Sequence, residues 1–245
     1  MTYLLDATRI FTCGGIDSGA KPAVVTAMAK YHFTELSRQM VSHAADILAG
    51  AAVMCGPKNL IAVPYAAQPV SVTVEGANIM TRTLIIFGQG AIRCHPYALD
   101  LIKGIDDNNL SLFDKGLFKH IGHIIRNLLR TLVCSITRGY FIATPGSFVT
   151  KRYYQKLSWA SSAFAILTDI ALLSYGGALK RKGMLTGRYG DILSWMYMAT
   201  CVLRRFEADG RKKEDEIFMH WSMQYCLRQI QQGFEDVFTS LGLLA

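Results

Sequence analysis

Glu75 is the only charged side chain between Lys58 and Arg82, in a stretch whose apolar and small residues are typical of a buried segment. Burying an ionised carboxylate without a partner is costly, and the usual consequence is a raised pKa. Glu75 is therefore the leading candidate for a residue that accepts or donates a proton. Gly76 permits positive φ and close backbone approach to a ligand. A structural alternative remains open, because the helix dipole also favours a Glu just before a first helical turn.

Several other chemistries lack their motifs in this sequence. It has no glycine-rich phosphate loop, no G-x-S-x-G and no H-E-x-x-H. Its six cysteines form no C-x-x-C pair, which argues against a disulfide framework and a cysteine-bound zinc and favours a reducing compartment. His120 and His123 lie three residues apart on a predicted helix, but no carboxylate cluster is close in sequence. We therefore predict no metal site.

Composition indicates a folded, basic protein of 245 residues, 51% of them apolar, with a net charge of +8. Residues 1–104 hold eight basic and six acidic side chains, so most of the positive charge belongs to residues 105–245. An anionic partner such as a phospholipid surface or a CoA phosphate suits this charge. Nucleic acid would also suit the charge, but the basic residues lack a recognisable nucleic-acid-binding fold, so no nucleic-acid partner is predicted. Asp6 and Arg9 interrupt any N-terminal signal core, so the predicted location is the cytoplasm.

Apolar periodicity predicts an all-α fold. The first helix ends near Thr12 and is closed by Gly14-Gly15, and a helix that begins near Ile79 ends at Gly88-Gln89-Gly90. The polar stretch 104–109 predicts a linker and a boundary between domains 1–104 and 105–245. The other predicted helices span residues 23–48, 111–139, 157–179, 191–206 and 214–240.

Two of these helices raise the question of a membrane. Residues 111–139 combine an apolar face with Lys119, Arg126 and Arg130, which fits either a basic helix on a membrane surface or a packed helix with a solvated face. Residues 157–179 are long enough to cross a bilayer, but Asp169 falls in the middle. A mid-bilayer Asp costs about 2.5–3.5 kcal/mol on insertion scales. We predict a buried soluble helix and no transmembrane span.

The run from Thr73 to Arg82, T-V-E-G-A-N-I-M-T-R, resembles the acyl-CoA dehydrogenase segment in which a base Glu is followed by Gly and by flavin-contacting residues. Residues 86–97 (I-F-G-Q-G-A-I-R-C-H-P-Y), 177–181 and 188–194 are similar to the large bacterial fatty acyl-CoA dehydrogenases, which carry an extra helical C-terminal domain. The resemblance implies the C-terminal helical bundle of such an enzyme followed by a second helical domain.

The resemblance also implies a reaction: flavin-dependent α,β-dehydrogenation of a fatty acyl-CoA to the trans-2-enoyl-CoA, the first step of β-oxidation. Glu75 would remove the α-proton while a hydride leaves for the flavin. Gly76 would lie against the substrate. The resemblance implies that Ala77, Asn78 and Ile79 contact the flavin of FAD. It also implies that Asp46 and Gly50 contact the adenosine end of FAD.

The family's N-terminal and β-rich domains have no counterpart in this sequence, so we expect a fragment of a longer enzyme that is inactive alone. The implied partners are fatty acyl-CoA, the missing domains or a second copy of the chain, and an electron-transfer acceptor. An alternative hypothesis is a non-enzymatic basic helical module that docks on a partner or peripherally on the inner face of the membrane.

Overall fold

The computed structural model describes residues 1–22 and 24–241, which form helices joined by turns, without a strand among them. The first part contains α1 (Thr2–Asp17), α2 (Val25–Leu48), α3 (Gly50–Val53), α4 (Ala62–Thr73), α5 (Asn78–Met80), a π-helix (Thr81–Gln89), α6 (Gly90–Cys94) and α7 (Ala98–Asp106). The second part contains α8 (Leu110–Thr137), α9 (Phe148–Tyr175), a 3-10 helix (Gly176–Arg181), α10 (Gly183–Ala208) and α11 (Lys213–Ser240). The predicted all-α fold is confirmed. Ala23, where a helix was predicted to begin, lies outside the described residues.

Two predicted helix ends at glycines are wrong, and so is the predicted start of a linker at Gly104. Helix α1 continues through Gly14 and Gly15 to Asp17. The segment after Glu75 continues through Gly90 to Cys94, because this glycine packs closely against another helix: a Cβ on Gly90 would lie 2.9 Å from Val24 Cγ2. Gly104 likewise lies inside α7, against the backbone of Phe113. These last two glycines permit close approach of neighbouring elements rather than a break.

The first half of the predicted linker at 104–109 therefore belongs to α7, and the second half is a short turn at Asp107–Asn109 between α7 and α8. Asn109 caps α8, since its side-chain oxygen accepts a hydrogen bond from the Leu112 N–H at 3.0 Å. The proposed domain boundary near this turn stays a prediction.

The core is centred on the antiparallel pair α10 and α11, with α1 packed against both. Met198, Leu203, Met219 and Cys226 are fully buried between them. Gly233 of α11 allows the close approach, because a Cβ there would lie 2.6 Å from Ile192 Cγ1. Burying this much apolar surface is the main source of stability in such a fold.

Arg82 and Asp191 connect the π-helix to α10. The guanidinium donates from Nε to Oδ1 at 2.8 Å and from a terminal nitrogen to Oδ2 at 2.5 Å, a bidentate geometry. Burial raises the pKa of the Asp191 carboxyl, and the Arg82 charge opposes that rise. This ion pair fixes the segment after Glu75 against the main core.

His32 lies at the contact between α2 and α10 and is almost completely buried, with its ring centroid 4.4 Å from that of Trp195. Burial and the nearby Arg82 charge lower the pKa of His32 to about 3. An unfolded His has a pKa of about 6.5, so below that pH the unfolded chain binds a proton that the folded chain does not. The stability of the fold therefore decreases as the pH falls from 6.5 towards 3.

We expect His32 to account for a loss of about 2 kcal/mol in unfolding free energy between pH 7 and pH 5. Urea unfolding at both pH values measures it: His32→Leu should remove this part of the pH dependence whatever its own cost in stability. His43→Leu, an exposed position on the same helix, is the matched control and should keep the wild-type dependence. An unchanged pH dependence in His32→Leu would show that His32 is not buried in its neutral form.

Helices α8 and α9 pack on each other at one side of the core and leave much apolar surface uncovered. By length and composition alone, Phe148–Arg181 could cross a membrane. The helix α4 and the segment Asn78–Cys94, which meet at a bend, pass the same test only if they are taken together as one span. Only 28% of the most apolar window in Phe148–Arg181 is buried, less than the sequence predicted. Asp169 within it is buried, as expected. The absence of a membrane span stays a prediction.

Candidate functional site

Glu75 lies in the short loop between α4 and α5, as predicted. The backbone is left-handed at two consecutive residues, with φ of 52° at Glu75 and 92° at Gly76. Gly76 adopts this conformation without strain, but for Glu75 it is uncommon and costs roughly 1–2 kcal/mol. Such strain persists only where surrounding contacts impose the conformation, and it is frequent at functional sites.

Lys30 of α2 supplies the contact that holds this loop. Its Nζ donates to the Gly76 carbonyl at 2.8 Å and to Asn78 Oδ1 at 2.7 Å. Thr81 Oγ1 also donates to the Gly76 carbonyl, at 3.3 Å. The carbonyl that follows Glu75 is thus fixed from two sides.

Asn78 ties the start of α5 to α2. Its side chain is buried, and its Nδ2 donates to Thr34 Oγ1 and to Glu35 Oε1, both at 2.8 Å. Because Lys30 also donates to Asn78 Oδ1, both the oxygen and the nitrogen of the side-chain amide are hydrogen-bonded. Asn78 therefore positions the loop, and a contact from this residue to a ligand would use its backbone.

The other predicted flavin-contacting residues occupy two separate places. Ala77 and Ile79 flank Asn78 in the Glu75 loop, and Ile79 is exposed. Asp46 and Gly50 are exposed where α2 ends and α3 begins. Asp46 lies sixteen residues after Lys30 on the same helix, which at a rise of 1.5 Å per residue is about 24 Å from the loop's anchor. The two groups could contact only different parts of an extended ligand, or two different ligands.

The expectation that Glu75 is buried is wrong for this chain, because the structure leaves its side chain exposed. The neighbouring apolar side chains Val74, Ile79 and Met80 are exposed as well, and α4 contains no buried residue. Apolar sequence alone does not bury a segment; it needs a partner surface. An uncovered apolar patch of this kind marks a place where another chain, domain or ligand binds.

A second cluster, not expected from the sequence, combines His95 with two side chains of α8 and one of α9: His120, His123 and Asp169. Asp169 Oδ1 is 2.9 Å from His95 Nε2 and 3.0 Å from His120 Nε2. One ligand atom each from His95, His123 and Asp169 lies within 4.8 Å of the others. The prediction of no metal site considered only carboxylates close in sequence, whereas the fold brings Asp169, 49 residues from His120 along the chain, to the α8 histidines.

Electrostatics within this cluster favour an ionised Asp169 carboxylate and a neutral His123 ring. Burial acts to raise the pKa of Asp169, but hydrogen bonds from His95 and His120 outweigh it and the pKa is lowered. Burial lowers the pKa of His123. A carboxylate and neutral imidazoles are the protonation states required for cation binding.

Comparison with known families identifies the C-terminal part of the chain. The family described as acyl-CoA dehydrogenase, C-terminal, bacterial type matches residues 92–243, well over half of the sequence. The chain belongs to this family. No solved structure matches it. The resemblance seen in the sequence is thereby confirmed for the C-terminal part.

The match to the acyl-CoA dehydrogenase family covers one of the two candidate sites and not the other. It includes His95, the α8 histidines and Asp169, so that cluster lies within the bacterial-type C-terminal domain. It begins seventeen residues after Glu75, and the base assignment therefore stays a prediction from the local resemblance. Family membership shows that the chain is related to the acyl-CoA dehydrogenases.

Proposed function

We propose that this chain is part of an FAD-dependent fatty acyl-CoA dehydrogenase, and that Glu75 is its catalytic base. The observation that carries the proposal is the Glu75 loop, a strained carboxylate-bearing residue followed by a Gly76 carbonyl that Lys30 fixes at 2.8 Å. Membership of the acyl-CoA dehydrogenase family supports it.

The chemistry explains why a carboxylate belongs in an apolar patch. The α-proton of a thioester is weakly acidic, so the base must be moved out of water to raise its pKa towards the operating range. In this chain Glu75 is exposed, and the exposed Val74, Ile79 and Met80 beside it offer apolar surface for an acyl chain, a flavin and a covering domain. Bound FAD would accept the hydride from the β-carbon.

The residues around Glu75 fit a flavin in part. Ala77 and the exposed Ile79 are available to contact it, whereas the Asn78 side chain is committed to α2. Asp46, about 24 Å along α2 from Lys30, and Gly50 at the start of α3 would meet the adenosine end or a cofactor bound by a second copy of the chain. The proposed context is fatty acid β-oxidation in the cytoplasm, with an electron-transfer protein as acceptor.

Flavin binding tests this proposal directly. The chain would be purified alone and also fused to the N-terminal and β-rich domains of a bacterial acyl-CoA dehydrogenase. We expect the chain alone to be colourless, and the fusion to carry FAD that bleaches when a long-chain acyl-CoA is added without oxygen. Bound flavin and turnover in the chain alone would contradict the need for covering domains. A flavin-loaded fusion that no acyl-CoA bleaches would contradict the function.

A second candidate function, docking on an anionic membrane surface, is favoured by one observation on α8. Four apolar side chains of this helix, Ile121, Ile125, Leu128 and Leu132, are exposed. Arg126 and Arg130 on the same helix are also exposed. This combination is typical of a helix that lies in a membrane interface.

Vesicle sedimentation separates this second function from the first. We expect binding to vesicles containing phosphatidylserine that weakens as salt rises, because exposed charges are screened. Replacing Arg126 and Arg130 by Gln should reduce the binding, while Glu75→Gln should leave it unchanged. Equal binding to neutral phosphatidylcholine vesicles at high salt would contradict an electrostatic surface.

A further inference from the structure

Asp169 is a buried carboxylate with only one satisfied oxygen. It is 3% exposed, and its Oδ1 accepts both imidazole hydrogen bonds described above. Within the described part of the chain, Oδ2 is buried and has no hydrogen-bond partner. Buried polar atoms without a partner are rare in folded proteins, and an ion or a water is a common explanation.

The hydrogen bonds of His95 assign it a supporting role. Its Nδ1 accepts from the backbone N–H groups of Tyr97 at 3.2 Å and Ala98 at 3.0 Å. The ring proton must therefore reside on Nε2, which donates it to Asp169 Oδ1. His95 has no free lone pair, so it orients the carboxylate rather than binding a cation, as supporting residues around metal sites do.

His120 and His123 have the freedom that His95 lacks. They lie three residues apart on α8, a spacing that places both on one face of the helix. In a tetrahedral site with metal–ligand bonds of ~2.0–2.1 Å, two ligand atoms lie about 3.3 Å apart. His120 Nε2 and Asp169 Oδ1 are 3.0 Å apart, which is close to that distance. The hydrogen bonds of His123 are to Arg126 and Asn127 of its own helix, and its ring packs edge-on against His95 and Tyr97 at centroid distances of 5.9 and 5.6 Å.

We propose that Asp169, His120 and His123 bind a divalent transition-metal ion, with His95 as the residue that positions the carboxylate. Two imidazoles and a carboxylate are ligands that Zn²⁺ accepts, and a water would complete a tetrahedral site. Such an ion would join α8 to α9, and through His95 would fix the turn that leads into α7. The site is separate from the Glu75 loop and does not depend on the proposed dehydrogenation.

Zinc titration of the purified chain tests the site. The protein is treated with chelator, its exposed Cys13, Cys55 and Cys94 thiols are blocked by alkylation, and ZnCl₂ is added in a calorimeter. We expect one ion per chain, and a melting temperature that rises with zinc because the ion binds the folded state. Co²⁺ should give visible absorption bands of a nitrogen- and oxygen-ligated site.

The variants distinguish the two roles and exclude surface binding. His123→Gln, which keeps the size and polarity of the side chain, and His120→Ala should each abolish stoichiometric binding. His95→Gln should weaken it about 10–100-fold, as expected for a supporting residue. His43→Ala, at an exposed histidine of α2, should bind like the wild type. Absence of stoichiometric zinc in the wild type, or its persistence in His123→Gln and His120→Ala, would overturn the proposal.

Discussion

Glu75→Gln is expected to lower kcat for a long-chain acyl-CoA by about 10²–10⁴-fold, the usual contribution of a positioned general base, while FAD stays bound. The amide has the size of the carboxylate but cannot accept the α-proton. The measurement is turnover and flavin content of the fusion protein described above. The left-handed backbone at residue 75 and the Lys30 contact to Gly76 involve no atom of the Glu75 side chain, so the loop should keep its shape.

Glu216→Gln is the matched control for this experiment. Glu216 is a partly exposed carboxylate in the first turn of α11, far in sequence from the Glu75 loop. Its replacement should leave kcat and flavin content unchanged. If Glu75→Gln retained wild-type kcat, the base would have to be sought elsewhere. If it lost FAD instead, Glu75 would belong to the cofactor site.

Leu203→Ala is expected to lower the unfolding free energy by about 2–5 kcal/mol. Leu203 is fully buried in the core around α10 and α11, so its truncation removes buried methyl groups and leaves a cavity that close-packed neighbours fill only in part. Urea unfolding of the chain at neutral pH gives the value.

Leu173→Ala provides the comparison for this prediction. Leu173 lies near the end of α9 and is 75% exposed, so the same chemical change there should alter stability by no more than about 0.5 kcal/mol. Similar costs at the two positions would mean that α10 does not form the core of the folded chain.

The sequence predicted the helices best where one face of each is buried. The expected span 214–240 corresponds to α11, Lys213–Ser240, and 23–48 to α2, Val25–Leu48. Apolar residues recur at helical spacing where one face of a helix is buried. These helices can therefore be predicted without knowledge of the tertiary structure. Between α10 and α11, Gly210 adopts a φ of 81°, a conformation that favours glycine.

Glycines inside helices misled the sequence analysis. Gly90 was predicted to end a helix and Gly104 to begin a linker, yet each lies where another part of the chain approaches too closely for a Cβ. A glycine that ends a helix and one that admits a neighbour look the same in a single sequence. Only the packing partner, here Val24 or Phe113, distinguishes the two.

By itself the sequence determined the all-α fold, the family of the C-terminal part and the position of Glu75 in a loop before a helix, since all three depend on local pattern. The tertiary structure alone decided that Glu75 is exposed and held through Lys30, and that His95, His120 and His123 meet Asp169. The physical reason is that burial and side-chain contact are properties of pairs of surfaces. His95 and Asp169 are 74 residues apart along the chain, and no spacing rule connects them until α7 has packed on α8 and α8 on α9.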